Sequence, residues 1–210
     1  MLSDTLEIRW FLDTLDQDQA LDMIRHASGF EPMAEATRTD HYLRLPLSDR
    51  IGIKRREGCL EHKWLLQYLP GIEPEAPLNR FGCWRKWSVP TGDGVEPPGL
   101  ENWIAVQKQR WINPWTALEG RAQALPQKTE RVLRCDFELA QIEIESPKQA
   151  EALRFWTLCF ESEGPERQAL LESVLRIFRL SGLAKLLVET EPKDYPTLLR
   201  EHSTDSRPPS

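Results

Sequence analysis

The feature that most constrains this chain is a two-residue alternation that returns in segment after segment and separates charge from apolar bulk. Leu6, Ile8, Trp10 and Leu12 alternate with Glu7, Arg9 and Phe11. His41, Leu43 and Leu45 alternate with Tyr42 and Arg44, and Ile51 to Tyr68 reads as a hairpin turning at Glu57-Gly58. With Cys83 to Val89, Trp103 to Trp111, Arg131 to Ile144 and Phe155 to Glu163, eight strands are expected. Successive side chains of a strand point to opposite faces, so residues of one parity share a face. Lys54 then lies with Arg56, Glu61 with Lys63, Lys108 with Arg110, and Arg134 with Asp136 and Glu138. On the last strand Thr157, Glu161 and Glu163 share parity.

Helical periodicity is sparser. Asp16 to Ala27 places Ala20, Leu21, Ile24 and Ala27 on one face behind an Asp16 N-cap. Pro165 to Leu180 carries the stripe Leu170, Leu171, Val174, Leu175 and Phe178, with Pro165 at the first helical position and Gly182 as a stop. Leu118 to Ala124 reads as a shorter helix.

For any single strand, an open sheet with one wet face accounts for the charges. Taken together, eight antiparallel strands can close, which removes exposed edges and turns the charged faces inward. The expected fold is α+β: a closed eight-stranded antiparallel β-barrel, a tunnel, with a few flanking helices over its apolar exterior. Its lumen would hold Arg9, Lys54, Arg56, Lys63, Lys108, Arg110 and Arg134 against Glu7, Glu61, Asp136, Glu138, Glu161 and Glu163. A basic, partly dry lumen suits a polyanion such as a triphosphate, because Arg and Lys make charge-assisted hydrogen bonds to phosphate oxygens. The carboxylates suit Mg²⁺ or Mn²⁺, which take oxygen ligands.

Composition narrows the partners. A net charge of −6 argues against a broad nucleic-acid surface, so any bound anion has to be small and met by basic groups gathered in one place. No run approaches the roughly 18 apolar residues that span a bilayer. The four cysteines, Cys59, Cys83, Cys135 and Cys159, are far apart with no CxxC pair, which points to a reducing cytoplasm. His26, His62 and His202 make no metal-ligand spacing, and the Trp residues read as packing between barrel and helices. Gly71 to Pro77 and Pro90 to Gly99 read as loops within one domain spanning 1–201, followed by a flexible polar tail at 202–210. The sequence does not address oligomeric state.

The ordered series resembles the CYTH-like superfamily, the triphosphate tunnel metalloenzymes, and most nearly a divergent bacterial branch of it. That family closes an eight-stranded barrel whose first strand carries an ExExK signature. Leu6-Glu7-Ile8-Arg9-Trp10 is similar to the end of that signature, with Arg for Lys and Thr5 where the first Glu stands. Gly52 to Gly58 resembles the basic strand and turn that follow. Trp84-Arg85-Lys86-Trp87, Lys108 with Arg110, and Glu161 with Glu163 fall in the family's order. The resemblance implies Arg9, Lys54, Arg56, Lys63, Lys108, Arg110 and Arg134 on a phosphate chain, and Glu7, Asp136, Glu138 and Glu161 on a divalent metal.

Three functions follow as expectations. The first is metal-dependent phosphohydrolysis of a triphosphate, nucleotide or organic phosphate. The second, favoured by Thr5, is a non-catalytic module that binds the anion after losing metal chemistry. The third, a barrel around an apolar ligand, conflicts with the charged lumen.

Overall fold

The computed structural model describes residues 2–45, 48–71, 80–92, 102–118, 121–127, 133–145, 152–187 and 190–203, the side chains of 202 and 203 excepted. The order of elements is β1 (Leu2–Leu12), α1 (Gln17–Ser28), β2 (Met33–Leu43), β3 (Ile51–Arg56), β4 (Cys59–Pro70), β5 (Arg80–Pro90), β6 (Trp103–Leu118), β7 (Arg121–Ala124), β8 (Arg134–Ile144), β9 (Leu153–Glu163), α2 (Arg167–Leu180), α3 (Leu183–Leu186) and α4 (Tyr195–Ser203). Hydrogen bonding runs β2-β3-β4-β5-β1-β9-β8-β6, and β6 pairs back onto β2 from Met33↔Ile112 to Leu43↔Trp103. Eight antiparallel strands therefore close into a barrel, as the alternation requires. β1 sits between β5 and β9, with Leu6 opposite Cys83 on one side and Ser162 on the other.

Period-two sorting holds around the wall. The outward set Leu6, Ile8, Trp10, Phe137, Leu139, Leu158 and Phe160 is buried under α1 and α2. The predicted stripe of α2 is buried throughout, and Phe178 stacks on Phe137 at 4.6 Å and meets Phe160 edge-on at 5.1 Å. Burying one such side chain is worth about 1.5–3 kcal/mol, so this external layer is the main apolar core. Asp16 caps α1 as expected, accepting from Gln19 N at 3.1 Å. α2 starts at Arg167 after Glu166, so Pro165 precedes the helix instead of opening it.

Two expectations need correction. The described residues of the helix expected over Leu118 to Ala124 lie in strands. β6 continues to Leu118 and β7 folds back on it, pairing Trp115 with Ala124 and Leu118 with Arg121. A segment that short gains little as a helix, whereas pairing satisfies its backbone and packs Ala117, Ala122 and Ala124 against the external core. β2 begins at Met33, not His41. Its first half, MAEATRTD, lacks apolar alternation and carries a bulge between Glu35 and Arg38. The expected loops at 71–77 and 90–99 fall largely outside the described residues, as does most of the expected tail, although α4 itself runs to Ser203.

A second apolar cluster lies inside one end of the barrel. Inward-facing Tyr42, Ile104, Val106, Ala140, Ile142 and Ile144 meet Tyr195, Leu198 and Leu199 of α4. Asp194 starts that helix, accepting from Thr197 N at 2.9 Å, and Lys193 N donates to Arg9 O of β1 at 2.8 Å. The C-terminal helix thus stoppers one end of the barrel. Among the described residues no helix is long and apolar enough to cross a membrane.

Candidate functional site

Above the stopper the lumen opens into a cavity of about 120 Å³, well beyond the ~10–15 Å³ that one water needs. Eight basic and five acidic side chains line it, and the buried Asp40 behind Lys108 adds one more carboxylate, so the excess is positive. A chain with a net charge of −6 therefore gathers positive charge in this recess.

Three ion-pair centres organise the walls. Glu138 of β8 accepts from Arg9 Nη1 at 2.9 Å and from Arg110 Nε at 2.7 Å, and Arg110 Nη1 continues to Glu35 at 2.7 Å. Arg9 also reaches Glu7 at 3.1 Å and donates to Thr157 Oγ1 at 3.1 Å. Burial opposes the Glu138 charge, but Arg9, Arg110 and Lys108 outweigh it and hold the carboxyl well below the usual range. Asp40, fully buried, is the second centre, with Lys108 at 3.0 Å, Arg38 at 3.3 Å and Lys54 at 3.5 Å. Against the same burial penalty those three cations keep it ionised. Glu61 is the third, facing Arg56 at 2.8 Å, Lys54 at 3.1 Å and Lys86 at 3.7 Å.

The lysines differ accordingly. Burial pushes both Lys54 and Lys108 down to about 8, with Asp40 offsetting only part of the penalty. Lys108 donates to the Tyr42 hydroxyl at 2.7 Å and sits 4.0 Å from the centre of the Tyr195 ring. Lys63, by contrast, pairs with Glu7 and lies 3.7 Å from Glu161; these carboxylates overcome burial and raise it. Trp84 lies over Lys63 at 5.3 Å. A Cβ on Gly82 would stand 2.4 Å from Trp84 Nε1, so glycine is what lets the indole fold back along the wall.

Of the residues expected from sequence, Glu7, Arg9, Lys54, Arg56, Glu61, Lys63, Lys108, Arg110, Glu138 and Glu161 line the cavity. Arg134 and Asp136 do not. Arg134 lies towards the rim, 3.3 Å from Glu163 and 3.9 Å from Asp136. Reading the sequence missed Arg38 and Asp40, Lys86, Asp194 and Tyr195. Lys86 was legible from its shared parity with Trp84, and Asp194 from its capping position before Tyr195-Pro196-Thr197. Arg38 and Asp40 follow the bulge and share the parity of Tyr42, but they lie in a polar run ahead of His41, where no apolar partner marks a strand.

Metal-ligand geometry is a separate matter. Glu7, Glu161 and Asp136 are register partners in a row across β1, β9 and β8. Yet among the described residues no three His, Cys, Asp or Glu side chains converge to hold a metal ion. Glu7 and Glu138 are each engaged by two cations, so this donor set, as placed, does not fit Mg²⁺ or Mn²⁺.

No family model matches this chain, and no curated protein does. Among solved structures, the S. pombe Pct1 RNA triphosphatase is similar over 95% of this chain and 84% of that one, at 11% sequence identity and a TM-score of 0.34. A likeness of that size carries no argument about activity.

Proposed function

We propose that the barrel binds a small phosphate-rich anion, such as a triphosphate, a nucleotide or an organic phosphate, in its basic cavity. One observation carries the reading: two carboxylates, Glu61 and Asp40, face five cations between them, Lys54, Arg56, Lys86, Lys108 and Arg38. Their lone pairs can accept the hydrogen bonds, but two negative charges leave the five cations with an excess of positive charge. A polyphosphate brings several oxygens on closely spaced phosphorus atoms and answers that excess through charge-assisted hydrogen bonds. The resemblance of β1 and β3 to the triphosphate tunnel enzymes supports the same choice of ligand. A reducing cytoplasm suits the protein, whose four cysteines are all free.

Tripolyphosphate is expected to raise the melting temperature above sodium chloride of equal ionic strength, by an amount corresponding to about 2.7 kcal/mol at a hundredfold excess over Kd. Arg56→Ala, which removes a half-buried cation from the Glu61 centre, should weaken that binding by about tenfold or more. Identical shifts in the two salts would remove the reading.

A second reading adds metal-dependent hydrolysis, and the row Glu7, Glu161 and Asp136 is what favours it. Because those carboxylates are held by cations here, no catalytic step is derived through a metal. Phosphate release from tripolyphosphate or ATP, assayed with and without Mg²⁺ or Mn²⁺, decides between a hydrolase and a non-catalytic binder.

A further inference from the structure

We propose that the cavity is a blind cup that takes the terminal phosphate of a linear phosphate chain and does not let the chain thread through. This rests on the anion-binding reading and specifies which part of the anion enters.

The floor is Tyr195. Its ring stacks on Tyr42 at 5.1 Å, meets Phe11 edge-on at 5.2 Å, and turns its face to Arg9 and Lys108 at 4.9 and 4.0 Å. Beneath it, Ile104, Val106 and Ile142 fill the barrel with apolar atoms against Leu198 and Leu199. A phosphate passing this layer would shed its hydration and meet no cation and only the tyrosine hydroxyls as donors, too little to offset the cost of burying its charge. Exposure rises steadily away from the floor: 4% for the Lys108 side chain, 20% for Lys54, 33% for Lys86 and 42% for Arg134. The charged lumen therefore has its mouth at the end opposite α4. On the β1 side a neighbouring cavity abuts the cup across Glu7, Arg9, Trp84 and Asp194, and residues 191–194 line it, held to β1 by the Lys193 N to Arg9 O bond.

An eight-stranded barrel is just wide enough for its own side chains or one small ligand, so a chain cannot enter, turn and leave by the same mouth. An end can enter. The terminal phosphate also carries more charge and more free oxygens than an internal one, and Lys108 and Arg9, the two cations against the Tyr195 ring, are the most buried of the cavity. The deepest seat thus matches the most highly charged group of the chain.

The test compares three probes by thermal shift at matched ionic strength: tripolyphosphate, a long linear polyphosphate with free ends, and the same long chain with both terminal phosphates blocked as phosphoramidates. The first two are expected to protect equally per mole of chain ends. The blocked chain should bind at least about tenfold more weakly, the loss of one charge-assisted hydrogen bond. Equal binding of the blocked chain, or protection that scales with the number of phosphates per chain, overturns end-on entry while leaving anion binding intact. If none of the three protects, anion binding fails and end-on entry fails with it.

Discussion

Asp40→Ala is expected to lower the unfolding free energy by about 3–5 kcal/mol, the range for removing one partner from a buried ionic centre. Asp40 is completely buried, and its loss takes the carboxylate from Lys108 and leaves Lys54 with Glu61 and Arg38 with the more distant Glu35, all three still converging on the emptied volume. A urea melt measures the effect as a lower midpoint. Added phosphate should restore part of the loss, because an anion in the cavity can answer the same three cations. A change below about 1 kcal/mol, the size of an exposed ion pair, would show that Asp40 is solvated and that the centre is not a buried one.

Raising the pH should move stability and anion binding in opposite directions. Lys54 and Lys108 titrate near 8 in the folded chain against an ordinary 10.5, because burial disfavours their charge. Between those values the unfolded chain binds more protons than the folded one, so stability rises with pH, by roughly 1–3 kcal/mol for each lysine. Over the same interval the cavity loses the two deep positive charges, and tripolyphosphate affinity should fall by about tenfold or more between about pH 7 and pH 10. Lys108→Met should flatten both curves. Parallel curves, or an affinity constant across this interval, would count against these lysines as anion contacts. At the acid end stability again rises with pH, now through the carboxylates. Glu138 and Glu61 have depressed folded values and Glu161 falls to about 2, so their contribution is complete above the unfolded carboxylate range and is lost as pH drops below it.

The barrel was legible because its physics is local. Parity put Glu7 with Arg9 and Lys54 with Arg56, and closure follows from eight such strands with no edge left to protect. The cavity lining was legible for the same reason wherever alternation is clean, which is why ten of the expected residues converge. It failed where apolar residues do not mark a strand. Asp40, the most buried charge in the lumen, shares the parity of Tyr42 but lies in the polar run ahead of His41, where the apolar alternation begins. The floor was hidden for a different reason: Tyr195 reaches the lumen from a helix, through packing between residues far apart in sequence, which no period encodes. Arg134 and Asp136 show the converse limit. Parity gives the face of a residue but not its depth along the barrel axis, and both lie nearer the rim than the cavity.

The place of β1 between β5 and β9 also sets an order of events during synthesis. Ribosomes add about 5–20 residues per second, so β1 waits several seconds with one edge unpaired until Leu153–Glu163 has been made. Pairings of such long sequence separation are slow to form, since the intervening chain has to be closed before any contact repays it. Until α4 follows, the inward Tyr42, Ile104 and Ile142 have no cover. The nascent chain therefore passes through a stage with a finished outer wall on β2 to β5 and an open, sticky seam, the species most exposed to chaperone capture and to mispairing with a second copy.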